Sequence, residues 1–166
     1  MSITLRHETH ADIEIIRTIT ERAFAGKPYA GGNEQDVIDL LRDKGALVLS
    51  LVAIREDELV GHIAFSPVAL GDTLQPWFAL GPVSVLPEWQ GQGIGTQLIE
   101  RGLSDISSAG ALGCILTGNP LYYKRFGFDF SPQSCPENES PEVFMVKCFS
   151  AKQPHGRFRF DSAFYE

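Results

Sequence analysis

The segment Gln90-Gly91-Gln92-Gly93-Ile94-Gly95 constrains this chain more than any other part of it. Three glycines at alternate positions let the backbone turn tightly, and no Cβ stands between a ligand and the main-chain N–H groups. An apolar stretch, Trp77–Leu86, precedes the turn; after it Ile94, Leu98, Ile99, Leu103 and Ile106 recur at helical spacing. The pattern predicts a strand led through a glycine turn into an amphipathic helix. The first amides of such a helix lack helical carbonyl partners, and its dipole favours an anion, so a cradle for a phosphate or pyrophosphate is expected. Two nucleotide motifs fail at the residue level. A dinucleotide fingerprint needs glycine where Thr96 stands, and no N-terminal βαβ unit accompanies it. A Walker loop needs a lysine after the glycines, and none follows. A plain strand-to-helix connection remains the bland alternative, although three alternating glycines exceed what it requires.

The rest of the chain supplies the frame for that turn. Ile3–Arg6 reads as a first strand, and Thr9 with Asp12 forms a capping-box pattern ahead of a helix carrying Ile13, Ile16, Ile19, Ala23 and Phe24. Gly26 and Pro28 end this helix, and a loop over Lys27–Asn33 leads to a second one with Val37, Ile38 and Leu41 on one side. Leu47–Ile54 and Leu59–Val68 read as a hairpin around Arg55–Glu58. A polar break at Gly71–Gln75 precedes Trp77–Leu86, where Gly81-Pro82 predicts a bulge or a splayed edge. Cys114–Thr117 and Val143–Phe149 read as strands, Leu121–Phe126 as a short helix, Ser131–Pro141 as a long loop and Arg157–Phe160 as an edge strand. The expectation is a single α/β (α+β) domain over residues 1–166, with a mixed, mostly antiparallel sheet, one splayed strand and flanking helices.

Composition narrows the function. With 14 Lys+Arg against 21 Asp+Glu the net charge is −7, which argues against nucleic acid and anionic membrane surfaces and leaves cationic partners easy to attract. The longest apolar run, Ala46–Ile54, is far below the roughly 20 residues of a membrane span. The opening MSITLRHETHAD has no apolar signal core, and the three cysteines form no CxxC pair. A cytoplasmic protein with free thiols and no metal is expected.

The run from Leu80 to Ile99 resembles the acyl-CoA-binding motif of the GCN5-related N-acetyltransferases, with Gln90-x-x-Gly93-x-Gly95 in the place of that family's Gln/Arg-x-x-Gly-x-Gly/Ala. A second family feature, a tyrosine four residues before Gly-Phe, is matched by Tyr123 ahead of Gly127-Phe128. The likeness covers essentially the whole chain and is greatest to the bacterial YhbS-like group. It implies acetyl-CoA as cosubstrate. The pyrophosphate would sit on Gln90, Gly91, Gln92, Gly93, Ile94, Gly95 and Thr96, and the pantetheine arm would pair with the backbone of Val83, Ser84 and Val85. A backbone N–H of Val83–Val85 would stabilise the oxyanion. Asn119, Arg125 and Phe126 are further candidates for cofactor contact, Arg125 and Phe126 toward the nucleotide end.

The resemblance makes Tyr123 the acid for the departing thiolate, because a phenol with pKa about 10 stays protonated at neutral pH. Tyr122 reads as a core aromatic. The strand residues Val83-Ser84-Val85 offer no carboxylate base. Glu34 is the candidate for a base or an amine-attracting charge, against the plainer reading of a carboxylate at a helix N-terminus. Glu88 reads as solvated and His62, between Gly61 and Ile63, as structural. Acidic residues at Asp12, Glu14, Glu21, Glu34, Asp36, Asp39 and Asp43 would lend the acceptor side a negative field. The expected activity is acetyl transfer to a primary amine of a small molecule or exposed peptide. A non-catalytic acyl-CoA-binding or regulatory module on the same fold is the alternative, and a homodimer is left open.

Overall fold

A computed structural model describes residues 2–71 and 75–166, so the break expected at Gly71–Gln75 falls mostly outside the described residues. In chain order the elements are β1 (Thr4–His7), α1 (Ile13–Phe24), α2 (Glu34–Asp43), β2 (Leu49–Arg55), β3 (Glu58–Pro67), β4 (Ala69–Leu70), β5 (Trp77–Val85), α3 (Ile94–Ser108), β6 (Gly113–Thr117), α4 (Pro120–Tyr123), β7 (Asp129–Phe130), β8 (Phe144–Cys148) and β9 (Phe158–Arg159). Seven strands form one sheet in the order β1-β2-β3-β5-β6-β8-β7; β4 and β9 pair separately. Every pairing in the large sheet is antiparallel except β5 with β6. No helix among the described residues is long and apolar enough to cross a membrane.

Local sequence explains most boundaries. The Thr9 amide donates to Asp12 Oδ2 at 2.7 Å, completing the box that starts α1 through a short 3-10 turn, His10–Asp12. Glu56 and Asp57 both take positive φ, at 51° and 65°, so a two-residue turn of the primed kind matches the twist of β2 and β3.

Period-two alternation sorts the sheet into two faces. Leu49, Leu51, Ile63 and Phe65 meet Leu98, Ile99, Leu103 and Ile106 of α3. On the other face Val52 packs with Ile16 of α1 and Ile38 of α2. The bulk of α3 approaches closely because Gly61 and Gly102 carry no side chains; a Cβ on Gly102 would lie 2.3 Å from Phe65 Cε1.

Three expectations are refined by tertiary pairing. The tail strand is only Phe158–Arg159, and it pairs with Ala69–Leu70 outside the large sheet, so the strand read as Leu59–Val68 ends at Pro67 and the chain leaves the ladder there. Asp129–Phe130, too short to show a period, adds an edge strand beside β8. The long loop at Ser131–Pro141 contains a 3-10 turn, Pro132–Ser134, and Ser134 is buried.

Candidate active site

The opening in the sheet is created by β5. Its ladder with β6 has three rungs, Trp77–Gly113, Phe78–Cys114 and Ala79–Ile115, and then stops. Beyond that point β6 keeps pairing with β8 through Thr117, while Val83, Ser84 and Val85 pair only with β3. From Ile63 to Phe65 the β3 ladder advances two residues while β5 advances three, from Val83 to Leu80, so a bulge sits at Gly81-Pro82. That peptide is cis, and Pro82 has no N–H to offer a neighbouring strand. The free edge of Val83–Val85 therefore presents main-chain groups to a wedge between β5 and β6.

The glycine turn lies at the end of this edge. Gly91 and Gly93 have φ of 78° and 82°, a left-handed region where a side chain is strained. Gly93 is the N-cap of α3, and the first helical bond runs from the Gln97 amide to Gly93 O at 3.1 Å. The amides preceding Gln97 are thus left without helical carbonyls, at the positive end of a helix of 15 residues. Gln90, Gly91, Gln92 and Gly93 are exposed; Ile94 points into the core and fixes the turn to it. Gly95 and Thr96 are half-buried.

Two tyrosines border the wedge. A Cβ on Gly95 would lie 3.5 Å from the Tyr122 hydroxyl and 3.8 Å from Val85 Cγ2, so turn, strand tip and α4 converge there. Tyr122, read from sequence as a core aromatic, does pack against the main core, and its hydroxyl also approaches the turn at Gly95. Tyr123 packs edge-on against Tyr122 at 5.0 Å and against Phe128 at 6.1 Å between ring centroids. Its ring also occupies the space above Gly118, where a Cβ would come within 2.5 Å of Cε2. Burial pushes the Tyr123 phenol well above its usual range, with smaller contributions from Tyr122, Cys114 and Tyr29. The proton is held across neutral pH.

Asn119 caps α4, accepting the Leu121 amide at 3.0 Å. Arg125 stacks over the Tyr122 ring at 4.6 Å, and Phe126 is buried. A cavity of about 440 Å³ is lined by Glu100, Leu103, Arg125, Phe126, Gly127 and Lys147, bringing two cations together. Lys147 was not legible as a site residue, since it stands in a strand far along the chain.

Glu34 is the first residue of α2. Its carboxylate accepts the Gly31 amide at 2.7 Å and the Gly32 amide at 3.1 Å, holding the loop ahead of α2. The acidic field expected from the first two helices is partly compensated. Arg17 reaches Asp36 and Asp39 at 2.9 and 2.7 Å, Arg6 reaches Asp12 at 2.7 Å, and Arg42 reaches Asp39 at 3.0 Å. Glu88 pairs with Arg22 at 2.9 Å. Among the described residues no group of three or more His, Cys, Asp or Glu side chains is arranged to hold a metal ion.

Comparison with known proteins agrees with this geometry. Residues 47–129 match the model of the acetyltransferase (GNAT) domain. The chain is 33% identical over 111 residues to the uncharacterized N-acetyltransferase YhbS of Escherichia coli, covering 66% of each chain. It is also 35% identical over 123 residues to the uncharacterized N-acetyltransferase YjhQ of that organism, covering 72% of this chain and 65% of the relative. These matches thus span just under two thirds of the curated relatives' length. Among solved structures, a GNAT family acetyltransferase from Brucella melitensis in complex with acetyl-CoA superposes with a TM-score of 0.88 at 41% identity, covering 98% of both chains. Escherichia coli YhbS in complex with CoA gives 0.90 at 26% identity, covering 99% of this chain and 92% of the other. With the family's domain matched across the wedge, the turn and the tyrosines, the chain belongs to the GNAT acetyltransferase family.

Proposed function

We propose that this chain, working as one unit in the cytoplasm, transfers an acetyl group from acetyl-CoA to a primary amine by direct attack. The observation that carries the reading is the parting of β5 from β6 after Ala79 and Ile115, beside a glycine turn with free amides and a protonated tyrosine. The coenzyme's pyrophosphate would rest on Gln90–Gly95, with Thr96 at its margin. Its two pantetheine amides would complete the unpaired edge of Val83–Val85 as an added strand. A main-chain N–H on that edge would then receive the negative charge that develops on the thioester oxygen. Arg125, already stacked on Tyr122, and Phe126 would face the nucleotide end, while Asn119 keeps α4 in place.

The chemistry asks for a neutral amine and a protonated leaving group. Tyr123 supplies the second: its phenol gives its proton to the sulfur as the carbon–sulfur bond breaks, and regains one from solvent. The acceptor would enter on the side of the α1–α2 loop, whose shape Glu34 holds. Glu34, whose carboxylate also holds that loop, is the candidate base for the amine or the charge that attracts it. The net charge of −7 favours a cationic acceptor, a small amine or an exposed peptide amine, over nucleic acid.

The test is a panel of amines incubated with acetyl-CoA while free thiol is followed. Thiol release that depends on an amine supports transfer. Binding of acetyl-CoA without amine-dependent release would favour a regulatory acyl-CoA-binding module.

A further inference from the structure

The reading above uses only Arg125 and Phe126 of the cavity of about 440 Å³ beside α3. Its other walls are Glu100 and Leu103 of α3, Gly127, and Lys147 of β8. Lys147 is the register partner of Cys114, which belongs to the core on the α3 side of the sheet, so its side chain emerges on that side. Gly127 has φ of 90°, and a Cβ there would overlap Lys147 Nζ; the ammonium therefore lies against bare backbone close after Arg125. Elsewhere in this chain of net charge −7, Arg6, Arg17, Arg22, Arg42 and Arg101 are each taken up by a carboxylate. Arg125 has only the face of the Tyr122 ring, and Lys147 has no ion pair among the described residues. Two uncompensated cations in one cavity of an acidic protein suit a dianionic guest.

We propose that Arg125 and Lys147 form a receptor for the 3′-phosphate of the coenzyme, so that the enzyme distinguishes acyl-CoA from carriers that lack this group, such as dephospho-CoA. The proposal rests on the acetyltransferase reading. It adds a selectivity that the glycine turn and the strand edge cannot supply, because pyrophosphate and pantetheine are common to both carriers. The turn and the cavity are joined in two ways. The Tyr122 hydroxyl reaches toward Gly95 while Arg125 lies over the ring at 4.6 Å, so one aromatic side chain spans the distance from the turn to the rim of the cavity. Along α3, Glu100 stands only about 7.5 Å beyond Gly95. A single ribose separates a 5′-phosphate from a 3′-phosphate over a gap of that order. The remaining walls suit the nucleoside. Leu103 and Phe126 offer apolar surface to a base. The Glu100 carboxylate only accepts, so it matches the ribose hydroxyl and the adenine amino group and repels a phosphate. The phosphate is thereby directed to the opposite wall, where Arg125 presents a planar fork of donors and Lys147 a compact point charge.

Isothermal titration with CoA and with dephospho-CoA tests the receptor, since the two ligands differ only in the 3′-phosphate. The unaltered protein should bind CoA about tenfold more tightly, a difference expected of charge-assisted hydrogen bonds to one phosphate. That ratio should fall as salt rises from about 0.05 to 0.5 M, because the contacts are screened. Lys147→Met keeps the aliphatic stem and should bring the ratio toward one by weakening CoA while leaving dephospho-CoA as it was. Arg125→Gln retains a planar head to lie on Tyr122, should act in the same direction, and carries the test if Lys147→Met does not fold. Equal affinity of the unaltered protein for the two ligands would overturn the receptor. So would folded variants that weaken both ligands alike, or neither. The acetyltransferase reading fails separately: a protein that prefers CoA but acetylates no amine overturns that reading and leaves the receptor standing. Acetyl transfer that proceeds equally well from acetyl-dephospho-CoA does the reverse.

Discussion

Gln90 Nε2 donates a 2.9 Å hydrogen bond to the carbonyl oxygen of Val85, so the first side chain of the glycine turn is tied to the tip of the splayed strand. The turn and the strand edge, to which the proposed function assigns the pyrophosphate and the pantetheine amides, are joined by this exposed bond. Gln90→Leu keeps the bulk and removes the tie. Coenzyme A affinity should weaken several-fold, by about 1 kcal/mol, with little change in the melting temperature of the free protein. Isothermal titration and a melt measure the two effects separately.

Gly93 has φ of 82° at the N-cap of α3, and a Cβ there would meet no atom within 4 Å. Strain therefore comes from the backbone alone, about 1–2 kcal/mol for a residue with a side chain. Gly93→Val should lower the melting temperature modestly but eliminate stabilisation by coenzyme A. In the wild type that stabilisation should reach about 2.7 kcal/mol at a ligand concentration near 100 times Kd. A normal ligand-induced shift in the variant would remove the phosphate from this turn.

Tyr123→Phe leaves the aromatic contacts with Tyr122, Phe126 and Phe128 in place and deletes only the hydroxyl. Coenzyme A should bind as before, and turnover should drop roughly 10²-fold. Full turnover would mean that the thiolate is protonated by solvent or by another group.

Gly102 faces Phe65 so closely that even a methyl group would overlap the ring, at 2.3 Å from Cε1 and 2.6 Å from Cζ. Gly102→Ala gains helix propensity of about 1 kcal/mol but must displace a fully buried phenylalanine. Overpacking of this kind costs about 1–3 kcal/mol, so chemical denaturation should show net destabilisation.

Asp12 is held down to about 2 by its hydrogen bonds to Arg6, against burial, with help from the Thr9 amide. A carboxyl whose pKa is lower folded than unfolded stabilises the protein above the unfolded value and loses that contribution as pH falls through the folded one. Stability from this group should therefore disappear between about pH 4 and pH 2. Asp12→Asn should remove about 1 kcal/mol at neutral pH and flatten that part of the acid-denaturation profile.

Much of this architecture was legible because it is written in local chemistry. Alternate glycines at positions 91, 93 and 95, Thr9 with Asp12 before α1 and the Gly81-Pro82 break each act within a few residues, and each does locally what its pattern implies. Features that depend on distant segments were not legible. The pairing of Phe158–Arg159 with Ala69–Leu70 needs two short segments to meet, and neither has a period of its own. Tyr122 joins the rim because α4 folds back on α3, and Lys147 joins Arg125 because β8 lies beside β6. His62 is the sharpest case: two glycine-like and aliphatic neighbours describe a buried strand residue, but only the register with Ser84 and the bond to Ser50 reveal what surrounds it.

The three parallel rungs joining β5 and β6 are locked by bulky neighbours: Trp77 is buried edge-on against Phe158 at 4.9 Å between centroids, and Gly113 leaves space for the indole. The base of the splay is thus fixed by core packing, away from the edge on which the proposed function seats the coenzyme. Coenzyme capture is then closer to rigid docking than to coupled folding. Amide exchange along β5 and β6 at Trp77–Ala79 and Gly113–Ile115 should be equally slow with and without the ligand, while Val83–Val85 and the glycine turn gain protection.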